Sequence, residues 1–195
     1  MTRAYAAEVV GRGHRAAARA GELVWVGSHA VATPDVRGAA EASVAAIGRA
    51  LEAESSGLDD LVRLGVYYDM ALEDAEVREA IRRAVPSSSR PVVNLLPVRT
   101  PALPGAPLVV DAAAAAGTHT ALGEGAFPQA VRVADRVWVG GTRGSGEGIL
   151  AQTRDVIARL TSMAAEAGTA LDDCVKMNIS YVGDGTEEAA RASWR

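Results

Sequence analysis

The sequence contains few of the residues that build cross-links and metal clusters. Only one of its 195 residues is a cysteine, Cys174, so an intramolecular disulfide and a multi-cysteine metal site are both excluded. A single cysteine also fits a reducing compartment. The three histidines, at positions 14, 29 and 119, do not have the spacing of metal ligands. We therefore expect no metal site.

Excess positive charge and long apolar runs are also missing. The formal net charge is −4 and the arginines are scattered, so the basic stripe of a nucleic-acid-binding protein is absent. No run approaches the roughly 18 apolar residues of a membrane span, and the first residues lack the apolar core of a signal peptide. We expect a cytoplasmic protein that binds neither nucleic acid nor a membrane.

Glycine-rich nucleotide motifs are missing as well. There is no Walker pattern for phosphate binding. The glycine-rich stretch at 140–146 follows a predicted strand, but it lacks the spacing of a dinucleotide fingerprint and the acidic strand end that accompanies one. No cofactor is expected.

What the chain does contain is an internal repeat. Val-Trp-Val-Gly at 24–27 returns at 137–140, an offset of 137 − 24 = 113 residues. At the same offset Leu-Asp-Asp recurs at 58–60 and 171–173. Solenoid repeats usually run about 20 to 50 residues, so an offset of this size predicts a duplicated domain.

The offset divides the chain into a first unit, 1–117, and a second unit, 118–195. Residue 195 falls opposite Arg82, since 195 − 113 = 82. We therefore expect the second unit to lack a counterpart of residues 83–117. Either the chain is a fragment, or another chain supplies the missing piece.

Periodicity predicts an α+β fold in which each unit is a mixed sheet with two helices on one face. Ala40, Val44, Ile47 and Leu51 recur at spacings of four, three and four, which places them on one helical face. The predicted elements of the first unit are strands at 23–26, 61–68, 90–96 and 107–113 and helices at 37–54 and 73–85. Those of the second are strands at 129–133, 137–139 and 175–181 and helices at 149–167 and 187–194, after a linker at 117–125.

Short motifs add a resemblance to this pattern. Gly125-Ala126-Phe127-Pro128-Gln129-Ala130-Val131 is similar to Gly-Pro-Tyr-Ser-Gln-Ala-Val, and residues 26–29 and 139–142 are similar to Val-Ser-Gly-Gln. Ser88 to Val93, a Leu-Pro turn and Leu108 to Ala112 are similar to Pro-Ala-Arg followed by Val-Glu-Ile-Glu-Ala. On these motifs the sequence resembles the reactive intermediate deaminase family, also called YjgF or L-PSP-like proteins.

The resemblance implies a fold like that of chorismate mutase and a trimer with clefts at the subunit interfaces. In deaminating members the cleft binds a 2-imino or 2-enamino acid and hydrolyses it to a 2-keto acid and ammonia. We therefore expect a homo-oligomer with a trimer-like assembly of units, and a small carboxylate-bearing metabolite as its ligand.

Two residues are predicted by the resemblance to be catalytic. Arg90 matches the arginine that holds the substrate carboxylate, a role suited to the planar donor fork of guanidinium. Asp111 matches the glutamate that handles the water or proton, with a side chain one methylene shorter. From the residues alone, an arginine at this turn is more often solvated or paired with an acid. The alternative for Asp111 is that it caps its strand.

Five further residues are predicted to bind substrate: Ser28, His29, His14, Phe127 and Gln129. Phe127 matches the family's stacking aromatic residue, and His14 is its counterpart in the first unit, since 127 − 113 = 14. His29 stands where the family commonly has glutamine. The alternatives are core packing for Phe127 and a surface position for His14 and His29.

Two functions follow from the resemblance. The first is a cofactor-independent deaminase of 2-imino or 2-enamino acids or of a related reactive intermediate. The alternative is a non-catalytic or specialised biosynthetic member that binds a small ligand. A third activity, the ribonuclease activity attributed to some family members, is disfavoured by the acidic charge and the absence of a basic, aromatic-lined face.

Overall fold

The computed structural model describes residues 16–99 and 104–180. The chain forms two compact units, residues 1–140 and 141–195. The boundary predicted from the repeat, between 117 and 118, differs from this division. The first compact unit also contains the strands between residues 119 and 139.

The first unit is built on a five-stranded mixed sheet. Its order is β1-β2-β5-β3-β4, in which β3 and β4 are parallel and the other neighbours antiparallel. The strands are β1 (Ala17–Ala20), β2 (Leu23–Ala30), β3 (Leu61–Asp69), β4 (Val92–Val98) and β5 (Leu108–Ala115). Alternation along each strand gives the sheet two chemically different faces.

Two helices, α1 (Val36–Glu52) and α2 (Asp74–Ala84), cover one face of this sheet. Asp35 caps α1, because its carboxylate accepts hydrogen bonds from the backbone N–H groups of Arg37 and Gly38. The buried stripes of both helices and the helix side of the sheet form the main core. The predicted α+β class is confirmed, with the sheet and two helices arranged as expected in this unit.

A second, three-stranded antiparallel sheet lies in the same unit. It consists of β6 (His119–Leu122), β7 (Ala130–Val133) and β8 (Arg136–Val139). The prediction of a linker at 117–125 is wrong for β6, because its backbone pairs along its whole length with β7. This sheet buries apolar side chains against the helix-free face of the larger sheet, in a cluster of Val131, Val133, Trp138, Leu23, Val62, Val92, Ala113 and Ala115.

The second unit contains helix α3 (Gly148–Glu166) and a short 3-10 turn, Leu171–Asp173. Residues 175–180 form no strand, so the strand predicted at 175–181 is wrong over 175–180. A strand requires a neighbour for its backbone groups, and none of the strands described here pairs with this segment. Tyr181 and the helix predicted at 187–194 lie outside the described ranges.

Several elements recur at the repeat offset. Strand β7 begins 130 − 17 = 113 residues after β1, and the 3-10 turn Leu171–Asp173 follows a similar turn, Leu58–Asp60, by the same offset. The duplication itself stays a prediction. Within the described ranges, no helix has the length and apolarity that crossing a membrane requires.

Candidate functional site

Arg90 lies just before β4 and is exposed. Its Nη2 donates two hydrogen bonds, 3.0 Å to the carbonyl oxygen of Gly123 and 2.9 Å to that of Gly125. The Arg90 side chain makes no other hydrogen bond among the described residues. Nη2 therefore holds the loop between β6 and β7, while Nη1, with two N–H groups, and Nε, with one, each still carry donors for a carboxylate oxygen.

The same loop carries two of the predicted substrate-binding residues. Phe127 is partly buried and packs against the main core, whereas Gln129 is exposed. A Cβ placed on Gly123 would lie 3.2 Å from Cγ of Gln129, so the glutamine side chain starts beside the residue that Arg90 holds. The structure thus brings Arg90, Phe127 and Gln129 to one loop.

Asp111 has a different neighbour. Its Oδ1 lies 2.5 Å from Nη1 of Arg63, and the two side chains are 21% and 17% exposed. Asp111 lies on β5 opposite Gly65 of β3, on the face of the sheet that the helices leave free. The carboxylate predicted to handle a proton is therefore engaged in a half-buried ion pair.

Gly65 leaves the space in which this ion pair forms. A Cβ at this position would lie 2.6 Å from both Nη2 of Arg63 and Oδ1 of Asp111. Real Cβ contacts are not this short, so any side chain here would displace one of the two charged groups. Glycine is therefore required at position 65 if Arg63 and Asp111 are to keep this arrangement.

Arg90 and Asp111 lie far apart along the sheet. Gly65 pairs with both Asp111 and Asn94, and Arg90 precedes Asn94 by four residues on the next strand over. With a rise of about 3.3 Å per residue and a strand spacing of about 4.8 Å, the two Cα atoms are roughly 16 Å apart. Arg90 is hydrogen-bonded to the β6–β7 loop and Asp111 is paired with Arg63, so the two side chains are held by different partners.

The other predicted residues fall into separate places. Ser28 is exposed in a bulge of β2, between the pairs Val26–Ala112 and His29–Val110, and so lies opposite Asp111. His29 lies in register with Val110, which packs in the helix-side core. His14 lies outside the described residues.

His29 is buried, not at the surface, and neither ring nitrogen has a hydrogen-bond partner among the described residues. Burial, and secondly the positive charge of Arg49, lower the pKa of His29 below its usual value of 6.5. The imidazole therefore favours its neutral form in the folded chain.

The described residues include no group of three or more histidine, cysteine or acidic side chains that could hold a metal ion. Cys174 is exposed and is free of a disulfide.

Sequence reasoning missed Arg63, Gly65 and the two carbonyls that hold Arg90. An arginine within the apolar stretch Leu-Val-Arg-Leu-Gly-Val was a signal for a buried partner, because charged side chains in central strands are paired. The partner of Arg63 depends on which strands are neighbours, and the chain does not show this locally.

The fold is similar to solved structures of one family. A member of the YjgF/YER057c/UK114 family from Mycobacterium tuberculosis is 27% identical, with 54% of this chain and 88% of that chain covered and a TM-score of 0.49. RidA from an Antarctic Psychrobacter is 21% identical, with 55% and 90% covered and a TM-score of 0.47. Yeast Mmf1 is also 21% identical, with 54% and 88% covered and a TM-score of 0.47.

These similar structures are members of the YjgF/YER057c/UK114 family, the family that the motifs indicate, and they cover about 54% of this chain. The likeness concerns the fold alone. No protein-family model and no curated protein matches the sequence.

Proposed function

We propose that Arg90 binds the carboxylate of a small metabolite, and that the chain hydrolyses a 2-imino or 2-enamino acid to a 2-keto acid and ammonia. The observation that supports this proposal is the double anchor of Nη2 on the carbonyls of Gly123 and Gly125. An anchored guanidinium loses less rotamer entropy when it binds a carboxylate, so it binds more tightly than a free one.

The reaction adds water to C2 of the imine, breaks the bond from C2 to nitrogen and releases ammonia. An enzyme accelerates such a step by holding the substrate and orienting the water. Holding the carboxylate is the part that Arg90 performs. Gln129 is an exposed amide side chain in the same loop, next to Gly123, and we assign it to the water.

A second candidate is a ligand-binding protein without catalysis. It is favoured by one observation, the engagement of Asp111 with Arg63 on another part of the sheet. Among the described residues this carboxylate is paired with Arg63 and not with Arg90. Both candidate functions use the carboxylate site at Arg90. Only the deaminase converts the bound molecule to products.

The test is the release of ammonia and pyruvate from freshly generated 2-aminoacrylate. Replacing Arg90 with alanine should lower kcat/KM by roughly 10- to 100-fold, the range expected for a hydrogen bond to a charged group. Arg90→Lys should recover little, since an ammonium lacks the planar, fixed donor directions with which Arg90 holds two carbonyls and still offers Nη1 to a carboxylate. Arg99→Ala is the matched control, because Arg99 is an exposed arginine just beyond the other end of β4.

The outcomes separate the candidates. A wild-type rate that Arg90→Ala lowers by roughly 10- to 100-fold and that Arg99→Ala preserves supports the deaminase. No wild-type rate, together with pyruvate binding that Arg90→Ala removes, supports the binding protein. Equal behaviour of the two alanine variants in both assays refutes a carboxylate site at Arg90.

A further inference from the structure

A cleft of about 360 Å³ lies between α2 and the β6–β7 loop. Six residues line it: Ala75, Arg78, Glu79, Arg82, Ala126 and Phe127. Arg90 is not one of them. Small-molecule pockets in proteins usually enclose about 300 to 1,000 Å³, so this cleft has room for a molecule with one ring.

The helix wall of the cleft is a single stripe. Ala75, Arg78, Glu79 and Arg82 follow one another at i, i+3, i+4 and i+7. The opposite stripe of the same helix is buried in the core, which fixes the direction in which the cleft wall faces. Ala75 is small and exposed, and this leaves the opening.

The loop wall is apolar and held in place. Phe127 packs partly on the main core, and Ala126 precedes it. Arg90 holds the carbonyl of Gly125, the residue before Ala126. A ring that entered the cleft would therefore meet an aromatic side chain on an anchored segment, an arrangement that favours stacking.

Two arginines and one glutamate of α2 line the cleft. Glu79 accepts hydrogen bonds at 2.7 Å from Nε and Nη2 of Arg82 and from Nε of Arg83, which leaves the Nη1 donors of Arg82 for a ligand. These hydrogen bonds, from Arg82 first and Arg83 second, lower the pKa of Glu79 to about 2, and the carboxylate is charged at neutral pH. Arg78 is held only by an exposed contact of 3.4 Å with Asp74.

We propose that this cleft is a binding site for a small aromatic carboxylate, with the ring on Phe127 and Ala126 and the carboxylate on Arg82 and Arg78. The apolar loop wall selects the ring, and the two arginines of α2 that line the cleft select the negative charge. The site is separate from the carboxylate site at Arg90, although the loop that Arg90 anchors forms one of its walls.

The test uses phenylacetate as the probe and its neutral analogue phenylacetamide as the comparison, with amide chemical shifts of the ¹⁵N-labelled full chain as the readout. Phenylacetate should shift the amides of Ala126 and Phe127 saturably, and phenylacetamide should bind at least fivefold more weakly. Arg82→Gln should weaken phenylacetate about fivefold, the effect of one exposed charge pair. Ala75→Leu, which fills the opening, should remove the shifts.

The matched control is Arg83→Gln. Arg83 is the next residue on the same helix and also pairs with Glu79, but it does not line the cleft. Its substitution should change the affinity less than twofold. Equal loss in Arg82→Gln and Arg83→Gln, equal binding of the two probes, or unchanged shifts in Ala75→Leu would overturn the proposal. Because the assay measures no turnover, a chain that binds phenylacetate and releases no ammonia refutes the deaminase and keeps this site.

Discussion

Replacement of Gly65 by alanine tests whether the Arg63–Asp111 ion pair shapes the centre of the sheet. The new Cβ would lie 2.6 Å from Nη2 of Arg63 and from Oδ1 of Asp111, and 3.1 Å from Cγ of the aspartate. The end of Arg63 can rotate away, but the short Asp111 side chain is fixed by its strand. Relief of the contact therefore breaks or stretches the 2.5 Å ion pair.

The magnitude follows from two opposing effects. Loss of a hydrogen bond between charged groups costs about 1.5 to 3 kcal/mol, and the remaining exposure of both side chains places this pair at the lower end. Alanine is more favourable than glycine inside a strand by about 0.5 to 1 kcal/mol. We expect Gly65→Ala to lower the free energy of unfolding by about 0.5 to 1 kcal/mol.

Urea unfolding followed by far-UV circular dichroism measures this change. Gly48→Ala is the control, because Gly48 lies inside α1 and its Cβ would meet Leu58 at 3.4 Å, an ordinary contact. That variant should be more stable by up to about 1 kcal/mol, the helix preference of alanine over glycine.

A double variant that lacks both charged side chains, Arg63→Ala with Asp111→Ala, shows whether the ion pair causes the loss of stability in Gly65→Ala. There the added Cβ meets no charged group, so Gly65→Ala should become neutral or stabilising. The reasoning is refuted if Gly65→Ala stabilises the wild type, or if it costs the same in both backgrounds.

Two further predictions concern α1 and His29. Asp35→Ala removes the cap that accepts hydrogen bonds from Arg37 and Gly38, so we expect a loss of about 1 kcal/mol in thermal or urea unfolding, whereas Asp35→Asn should retain most of it. His29 has a folded-state pKa below 6.5, so the unfolded chain takes up its proton first as the pH falls. Stability should therefore be lost from about pH 6.5 down to the folded-state pKa, by up to about 1.4 kcal/mol per pH unit. Urea unfolding at pH 7.5 and 5.5 should show a smaller loss for His29→Leu than for wild type, and equal losses would contradict this assignment.

The sequence by itself predicted most of the local structure of the first unit. The four-three-four spacing from Ala40 to Leu51 predicts the buried stripe of α1, and the acids and arginines of 73–85 predict α2, because periodicity and end charges act within a few residues. The strands before and after these helices were also predicted. The repeat at an offset of 113 residues is visible in the sequence alone. It predicts that secondary-structure elements recur at that offset, as β1 and β7 do.

The candidate site was only partly predictable. The motifs single out Arg90, Phe127 and Gln129, which the fold brings to one loop through the carbonyls of Gly123 and Gly125. They equally single out Asp111, which the register of β3 and β5 places beside Arg63 and away from Arg90. The strand predicted at 175–181 is strand-like in composition, and among the described residues it has no neighbour with which to pair.

The difference has one physical reason. Helical periodicity, caps and turn residues depend on neighbours in the chain, so the sequence determined them directly. Three other features depend on which distant strands pair and in which register. They are the partner of Arg63, the burial of His29, and the cleft between α2 and the β6–β7 loop. A shift of one residue in that register would move every side chain of a strand to the other face, and only the tertiary structure decided it.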